Sequence, residues 1–445
     1  PYLSRGLGDV YKRQIMTSPI ERFQKRIIRK KSGRNLWTQK EYESMKSNDV
    51  MCNLPFEQLR NGPGINYQPC CWSGFDTGNG PQNTNPIEFF RGEEFTALRK
   101  DMMLGKKTPR LKDSCKLCWK NESDTGWSPR MQFPLDIDCL QNFDKDGRVL
   151  ETDHRWLQLE LNAFGNYCNL QCYECQTDNS SGREEAVKKL GEIDPKWVGL
   201  LKRYSFIDRD VKKVNPTQWR SFKDDIIKHA KNIKILIFCG GEPMMMKSHF
   251  ELLDELIESG EAKYIELGYV SNMTHTTLSK MKKYIDSFGW TSFAWSVDGL
   301  YERNHWLRYP TDWDSTIKNV FEIKDYLYHQ NVGKFRCTIT PSILGILDLH
   351  NTVKWMKDNN IFFYDDFFNR VDNPKFCQPR HLPDEVKEMI GPQVKKVSDN
   401  IYQDLMLPRN ETYWKIALEY FDKTDQTRGD TDWKKTFPEL AKYAL

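Results

Sequence analysis

Cys168, Cys172 and Cys175 are spaced C-x3-C-x2-C within residues 166–176, directly beyond an apolar run that reads as a strand. Three thiolates on one loop can hold three corners of an iron–sulfur cube. A [4Fe-4S] cluster normally takes four thiolates, so three leave one iron open to an outside ligand, and an open iron implies chemistry. Zinc would need a fourth ligand close by, and the nearest histidine, His154, lies on the other side of the strand.

A second group of thiols comes earlier: Cys52, the adjacent Cys70 and Cys71, and Cys115 with Cys118 as C-x2-C. These are too far along the chain to complete the first triad by local spacing, so they point to a separate centre, with either Cys70 or Cys71 as a ligand. A C-x2-C knuckle with a distant cysteine pair suits tetrahedral zinc or a [4Fe-4S] cluster. Of the other cysteines, Cys239 and Cys337 fall in apolar strands and read as inert core thiols. The eight histidines form no zinc or catalytic pairing, and Met244-Met245-Met246 reads as packing.

The elements that must hold these residues follow from hydrophobic pattern. Short apolar runs at 156–161, 233–239, 264–270, 291–297, 335–340 and 361–367 alternate with amphipathic stretches at 219–230, 248–259, 277–288, 314–328 and 349–359, the pattern of parallel βα repeats. Ser248 with Glu251 predicts a capping box on the second helix. Six units are two short of a closed eight-fold barrel. The fold class is therefore α/β, a parallel βα-repeat sheet or barrel. Residues 177–218 read as a helical insertion. We expect four regions: a basic arm at 1–45, a loop-rich cysteine module at 46–150, the barrel core at 151–375 and a helical extension at 376–445.

The triad spacing at the end of the first strand resembles that of the radical S-adenosylmethionine (radical SAM) enzymes, and the resemblance extends over residues 154 to about 370. Gly240-Gly241-Glu242-Pro243, after the second strand, is similar to the family's glycine-rich element beside the methionine amino group of SAM. Paired glycines let backbone approach a ligand closely, and a carboxylate or carbonyl there suits an ammonium. Ser271-Asn272-Met273-Thr274 after the third strand resembles the family segment near the SAM ribose, with Met273 in place of the usual Gly. Ser296-Val297-Asp298-Gly299 after the fourth resembles its S-x-D-G element. Arg308 would pair with the SAM carboxylate, as guanidinium suits carboxylate. The family usually has an aromatic residue just before the third cysteine; here Glu174 stands there, which moves the aromatic role to Tyr173. The N-terminal cysteines, with Gly64, resemble the first half of a SPASM pattern, a twitch domain with an auxiliary [4Fe-4S] cluster, although here the module precedes the barrel. What the resemblance implies is a partial (β/α)6 barrel, reductive cleavage of SAM and hydrogen abstraction from a substrate. Twitch and SPASM relatives often act on peptides, so a peptide is the first expectation, before a tRNA base, lipid or sugar, with a flavodoxin or ferredoxin as electron donor.

Composition sets the outer bounds. The 445 residues are 38% hydrophobic and 13% aromatic with 14 Trp, too apolar for a disordered chain. No apolar run approaches the roughly 20 residues of a membrane helix. No apolar export segment occupies the first residues, so a cytoplasmic protein is expected, with its twelve thiols free for metal. The first Met is Met16, so residues 1–14 are expected to be foreign to the native chain. Net charge is +4, but residues 1–34 carry ten basic and two acidic residues, which leaves −4 for the body. That arm reads as solvated or as a contact for nucleic acid or an acidic partner. The rival function class is a non-enzymatic, metal-stapled protein that binds nucleic acid or another protein.

Overall fold

Seven strands form one sheet: β1 (Gln58–Gly62), β2 (Asn66–Gln68), β3 (Leu157–Leu161), β4 (Ile233–Phe238), β5 (Glu266–Ser271), β6 (Trp290–Ser296) and β7 (Gly333–Thr338), in the order β2-β1-β3-β4-β5-β6-β7. β2 runs antiparallel to β1, and every other pairing is parallel. The computed structural model describes residues 36–62, 66–74, 85–126, 128–133, 135–152, 154–162, 165–204, 215–361, 368–371 and 373–443.

Five of the six expected strands are present within two residues of the expected ends, and residues 362–367 of the sixth lie outside the described residues. Parallel pairing demands crossover connections, and helices Pro216–Lys228, Lys247–Glu258, Leu278–Ser287 and Trp313–Gln330 supply them. The first of these starts three residues before the apolar pattern, because Asn215 and Gln218 form a true capping box ahead of Pro216. The expected box at Ser248 is corrected. Helix Lys247–Glu258 begins directly after the Pro243–Met245 turn with Met246 as an N-cap that makes no side-chain bond, so Ser248 already lies inside it.

Among the described residues of 46–150, helices replace the expected loops. Helices Pro86–Arg91, Glu93–Met103 and Pro109–Thr125 dominate the stretch, and β1 hydrogen-bonds alongside β3 with Arg60 opposite Glu160. Its Leu59, Phe56, Phe90 and Phe143 join the same buried core as β3. The helical reading of 177–218 and of the C-terminal stretch agrees with helices Ser181–Ile193, Lys196–Tyr204, Asp384–Val397 and Glu411–Arg428.

The period of two along each strand separates two faces. One is packed under the helices: Phe238, Tyr269, Phe293 and Phe335 are buried and stack in a row with ring centroids 5.6, 5.0 and 6.4 Å apart. The other face is polar and only partly covered. Arg60, Glu160, Ile237, Gly268, Ser292 and Lys334 lie in register across it. A sheet with one face apolar and the other lined by charge and small side chains leaves room above the second face.

Candidate active site

The loop bearing Cys168, Cys172 and Cys175 leaves the carboxyl end of β3 and is tied from three sides. Ser181 Oγ accepts from the Cys168 amide at 3.1 Å, and Ser180 Oγ donates to the Leu170 carbonyl at 2.7 Å. Both serines sit at the start of helix Ser181–Ile193, where a Cβ on Gly182 would meet the Leu170 oxygen at 2.6 Å. From the C-terminal helix Glu411–Arg428, Arg428 donates to the Gln171 carbonyl at 3.1 Å and Tyr420 to the Tyr173 carbonyl at 2.6 Å. The amide of Gln171 donates to the Tyr309 carbonyl at 2.6 Å. No sequence motif marks Tyr420 or Arg428; the signal that could have found them is a buried-type aromatic and cation stripe in the last long helix.

The three thiols are close enough for their charges to interact, and burial raises the pKa of each, that of Cys172 to about 12. Asn272 Nδ2 lies 3.9 Å from Cys168 Sγ and donates to Asn169 Oδ1 at 3.2 Å. Three half-buried thiols gathered on one loop suit soft iron–sulfur ligation, with the Glu242, Asp298 and Glu174 carboxylates within electrostatic reach. The residues present therefore fit a [4Fe-4S] cluster.

Glu242 takes a different part from the one its motif suggested. Its carboxylate is buried and accepts from Ser271 Oγ at 2.9 Å, the Asn272 amide at 2.9 Å and the Met244 amide at 3.3 Å. Burial raises its pKa to about 7. It fastens the glycine turn to the end of β5 and is not open to an ammonium. The glycines too are demanded by the protein itself. Gly240 and Gly241 have φ of 71° and 59°; a Cβ on Gly240 would strike the Asn162 side chain, and one on Gly241 would meet Met246 Cε at 2.6 Å and the Tyr167 carbonyl at 2.7 Å. Met273, where the resemblance expects Gly, also holds a positive φ of 64° with its side chain buried.

Arg308 Nε lies 2.7 Å from Asp298 Oδ2, so the guanidinium expected to take the SAM carboxylate already has a carboxylate. Asp298 also accepts from the Thr340 amide at 2.8 Å. Burial, then Asp298, push the neighbouring Glu174 well above the usual carboxylate range. Tyr173 is fully buried against Trp306, with ring centroids 5.1 Å apart, and its hydroxyl donates to Ser342 at 2.6 Å. Its ring is core, which corrects its expected place beside SAM. Ser296 is half-buried at the end of β6.

The N-terminal thiols also converge. Cys52 and Cys118 lie within electrostatic reach of both Cys70 and Cys115, and burial raises all four, Cys52 and Cys115 to about 12. Cys71 is within reach of Cys70 and Cys118 too, but after burial its strongest interactions are with Glu160 and Arg60. Cys239, read from sequence as an inert core thiol, lies on the polar face of the sheet with Sγ 3.4 Å from Glu160 Oε1, itself paired to Arg60 at 2.8 Å. Cys337 is buried on the packed face, as expected. Among the described residues no three His, Cys, Asp or Glu side chains are arranged as a site for a metal ion. Tetrahedral zinc, with bonds of about 2.3 Å, needs its sulfurs drawn close together, whereas each thiolate of a four-iron cube binds a different iron.

Residues 162–343 match the family model described as the Radical SAM superfamily. Residues 162–343 are thus matched as a radical SAM domain. A domain of this superfamily implies an enzyme, with a [4Fe-4S] cluster and SAM. The matched span begins just before the cysteine loop and ends beyond β7, so it takes in the glycine turn, Asn272 and Asp298. No curated protein matches the chain. Among solved structures it is similar to Streptococcus suis SuiB bound to S-adenosylmethionine, at 14% identity and a TM-score of 0.29, covering 62% of this chain and 55% of that one. The chain thus spans little more than half of that protein, and the likeness carries no argument about substrate. Among the described residues no helix is long and apolar enough to cross a membrane.

Proposed function

We propose that the chain is a radical SAM enzyme that abstracts hydrogen from a peptide or protein substrate, with the sheet closing as a partial barrel around its polar face. The observation that carries the reading is the mutual approach of Cys168, Cys172 and Cys175 beneath Asn272, beside a glycine turn fastened by Glu242. Cys168, Cys172 and Cys175 would hold a [4Fe-4S] cluster, which when bound would supply the one-electron chemistry that splits SAM into methionine and a 5′-deoxyadenosyl radical. The protein's own residues hold, orient and shield. Ser180, Ser181, Tyr420 and Arg428 fix the cysteine loop, and the backbone of Gly240 and Gly241 lines the methionine side. Ser271, Asn272 and Ser296 stand on neighbouring strand ends, and Asp298 keeps Arg308 oriented toward the same end.

The polar face with Arg60, Glu160, Lys334 and Arg336 favours a polar substrate segment such as a peptide over a lipid, which a charged lining would repel. Cys52, Cys115 and Cys118 with Cys70 would hold a second [4Fe-4S] cluster, Cys70 being preferred to Cys71 because the strongest interactions of Cys71 after burial are with Glu160 and Arg60. Anaerobic incubation with SAM and dithionite should yield 5′-deoxyadenosine by mass spectrometry, and peptides encoded nearby should gain or lose hydrogen. A colourless protein that binds zinc and leaves SAM intact would support the metal-stapled binding protein instead.

A further inference from the structure

The body of the chain, residues 35–445, is net −4, yet residues 106–120 alone carry six basic residues and one acid, +5, which leaves −9 for the rest. That concentration sits on helix Pro109–Thr125, the one that bears Cys115 and Cys118. The helix period divides its faces: Leu111, Ser114 and Cys118 are buried and Cys115 is half-buried, while Lys112, Lys116 and Lys120 stand exposed at four-residue intervals. Lys106 and Arg110 are exposed beside its start, and Lys107 lies 5.4 Å from the Trp119 ring. Lys112 and Lys116 have no carboxylate within ion-pair distance among the described residues, although like charges four apart repel within a helix. Leu117, 49% exposed, sits among them, and Leu104, 53% exposed, just precedes the stretch.

We propose that this lysine stripe is the docking surface for an acidic one-electron carrier protein, a reduced flavin or iron–sulfur carrier, and that electrons enter the enzyme through the N-terminal thiol group. The inference rests on the second-cluster reading above. A helix with its side chains is about 10 Å across, so the thiols lie roughly one helix width beneath the stripe, and electron transfer favours the shortest path. Electron-transfer encounters are small and weak and rely on charge steering, which Lys112 and Lys116 provide on an otherwise acidic body, Lys107 and Arg110 being ion-paired to Asp49 at 2.6 Å and Asp101 at 3.5 Å. A solvent-facing leucine in a ring of lysines suits a protein surface better than a phosphate backbone. In the transfer the carrier is oxidised by one electron and the receiving centre is reduced by one, with no bond made or broken.

The test uses the anaerobically reconstituted enzyme and a flavodoxin as probe. Calorimetric titration should show binding that weakens about tenfold between about 50 and about 300 mM salt, and about tenfold or more in K112E/K116E at low salt. Flavodoxin-driven 5′-deoxyadenosine formation should fall in parallel. K395E/K396E, the same charge change on the helix Asp384–Val397, should bind as the parent does. Dithionite needs no docking, so dithionite-driven cleavage reports whether each protein is folded and loaded. Equal flavodoxin affinity and equal carrier-driven rates in K112E/K116E and parent would overturn the docking site. So would a short RNA duplex that binds the parent more tightly than flavodoxin and loses affinity in K112E/K116E, which would make the stripe a nucleic-acid surface. Absence of dithionite-driven cleavage in the parent would instead overturn the radical SAM reading beneath it.

Discussion

At the scale of single residues, Met273 sets two effects against each other. Its positive φ costs a non-glycine residue of order 1 kcal/mol, while burial of its side chain stabilises by about 2–4 kcal/mol. Met273→Gly should therefore lower stability by about 1–3 kcal/mol in denaturant titration, and a stabilised variant would show that strain dominates. His249 provides a pH test on a residue outside both thiol groups. It is buried, bonded to Tyr269 Oη at 2.9 Å, and burial lowers its pKa from 6.5 to about 3. The unfolded chain then takes up the proton first, so this contribution is complete above pH 6.5 and is lost as pH falls toward about 3, at up to about 1.4 kcal/mol per pH unit. His249→Gln should flatten that slope in unfolding midpoints measured across the window; an unchanged slope would place the acid sensitivity elsewhere. Which residues matter was legible in the sequence wherever spacing is local, as in the triad and Gly240-Gly241. What Glu242, Tyr173 and Cys239 do was not, because each role depends on partners 29 to 169 residues away that take up a hydrogen bond or a face.

At the scale of elements, the cysteine loop depends on two neighbours. A valine at Gly241 would press on the Tyr167 carbonyl, one residue before Cys168, as well as on the ligand side. Gly241→Val should thus lower iron content along with SAM binding; full iron with weakened SAM binding would mean that the glycine serves the ligand alone. The C-terminal helix acts through Arg428, which bonds the Gln171 and Trp306 carbonyls and lies 4.8 Å from the Trp306 ring. Arg428→Ala leaves buried carbonyls unpaired and should destabilise by about 2–4 kcal/mol and shed iron from the triad. Iron content and stability equal to the parent would remove this helix from the site. The strands and crossover helices were readable because their apolar periods are long. β1 and β2 were not, since a five-residue strand reading Gln58-Leu-Arg-Asn-Gly62 shows no apolar alternation and forms only because β3 offers it an edge.

For the whole molecule, β1 makes the N-terminal stretch and the radical SAM domain share one sheet and one core, with Arg60–Glu160 bridging them on the polar face. The two thiol groups nonetheless remain separate sets, and the proposed function gives them separate work: one set would serve SAM cleavage and the other would carry charge. The measurement that addresses it is iron content and 5′-deoxyadenosine production, determined together for the parent and for the variant with Cys168, Cys172 and Cys175 all changed to Ala. The account predicts about eight irons per chain in the parent and about four in the variant, with 5′-deoxyadenosine lost completely. Undiminished 5′-deoxyadenosine from the triple variant would contradict it.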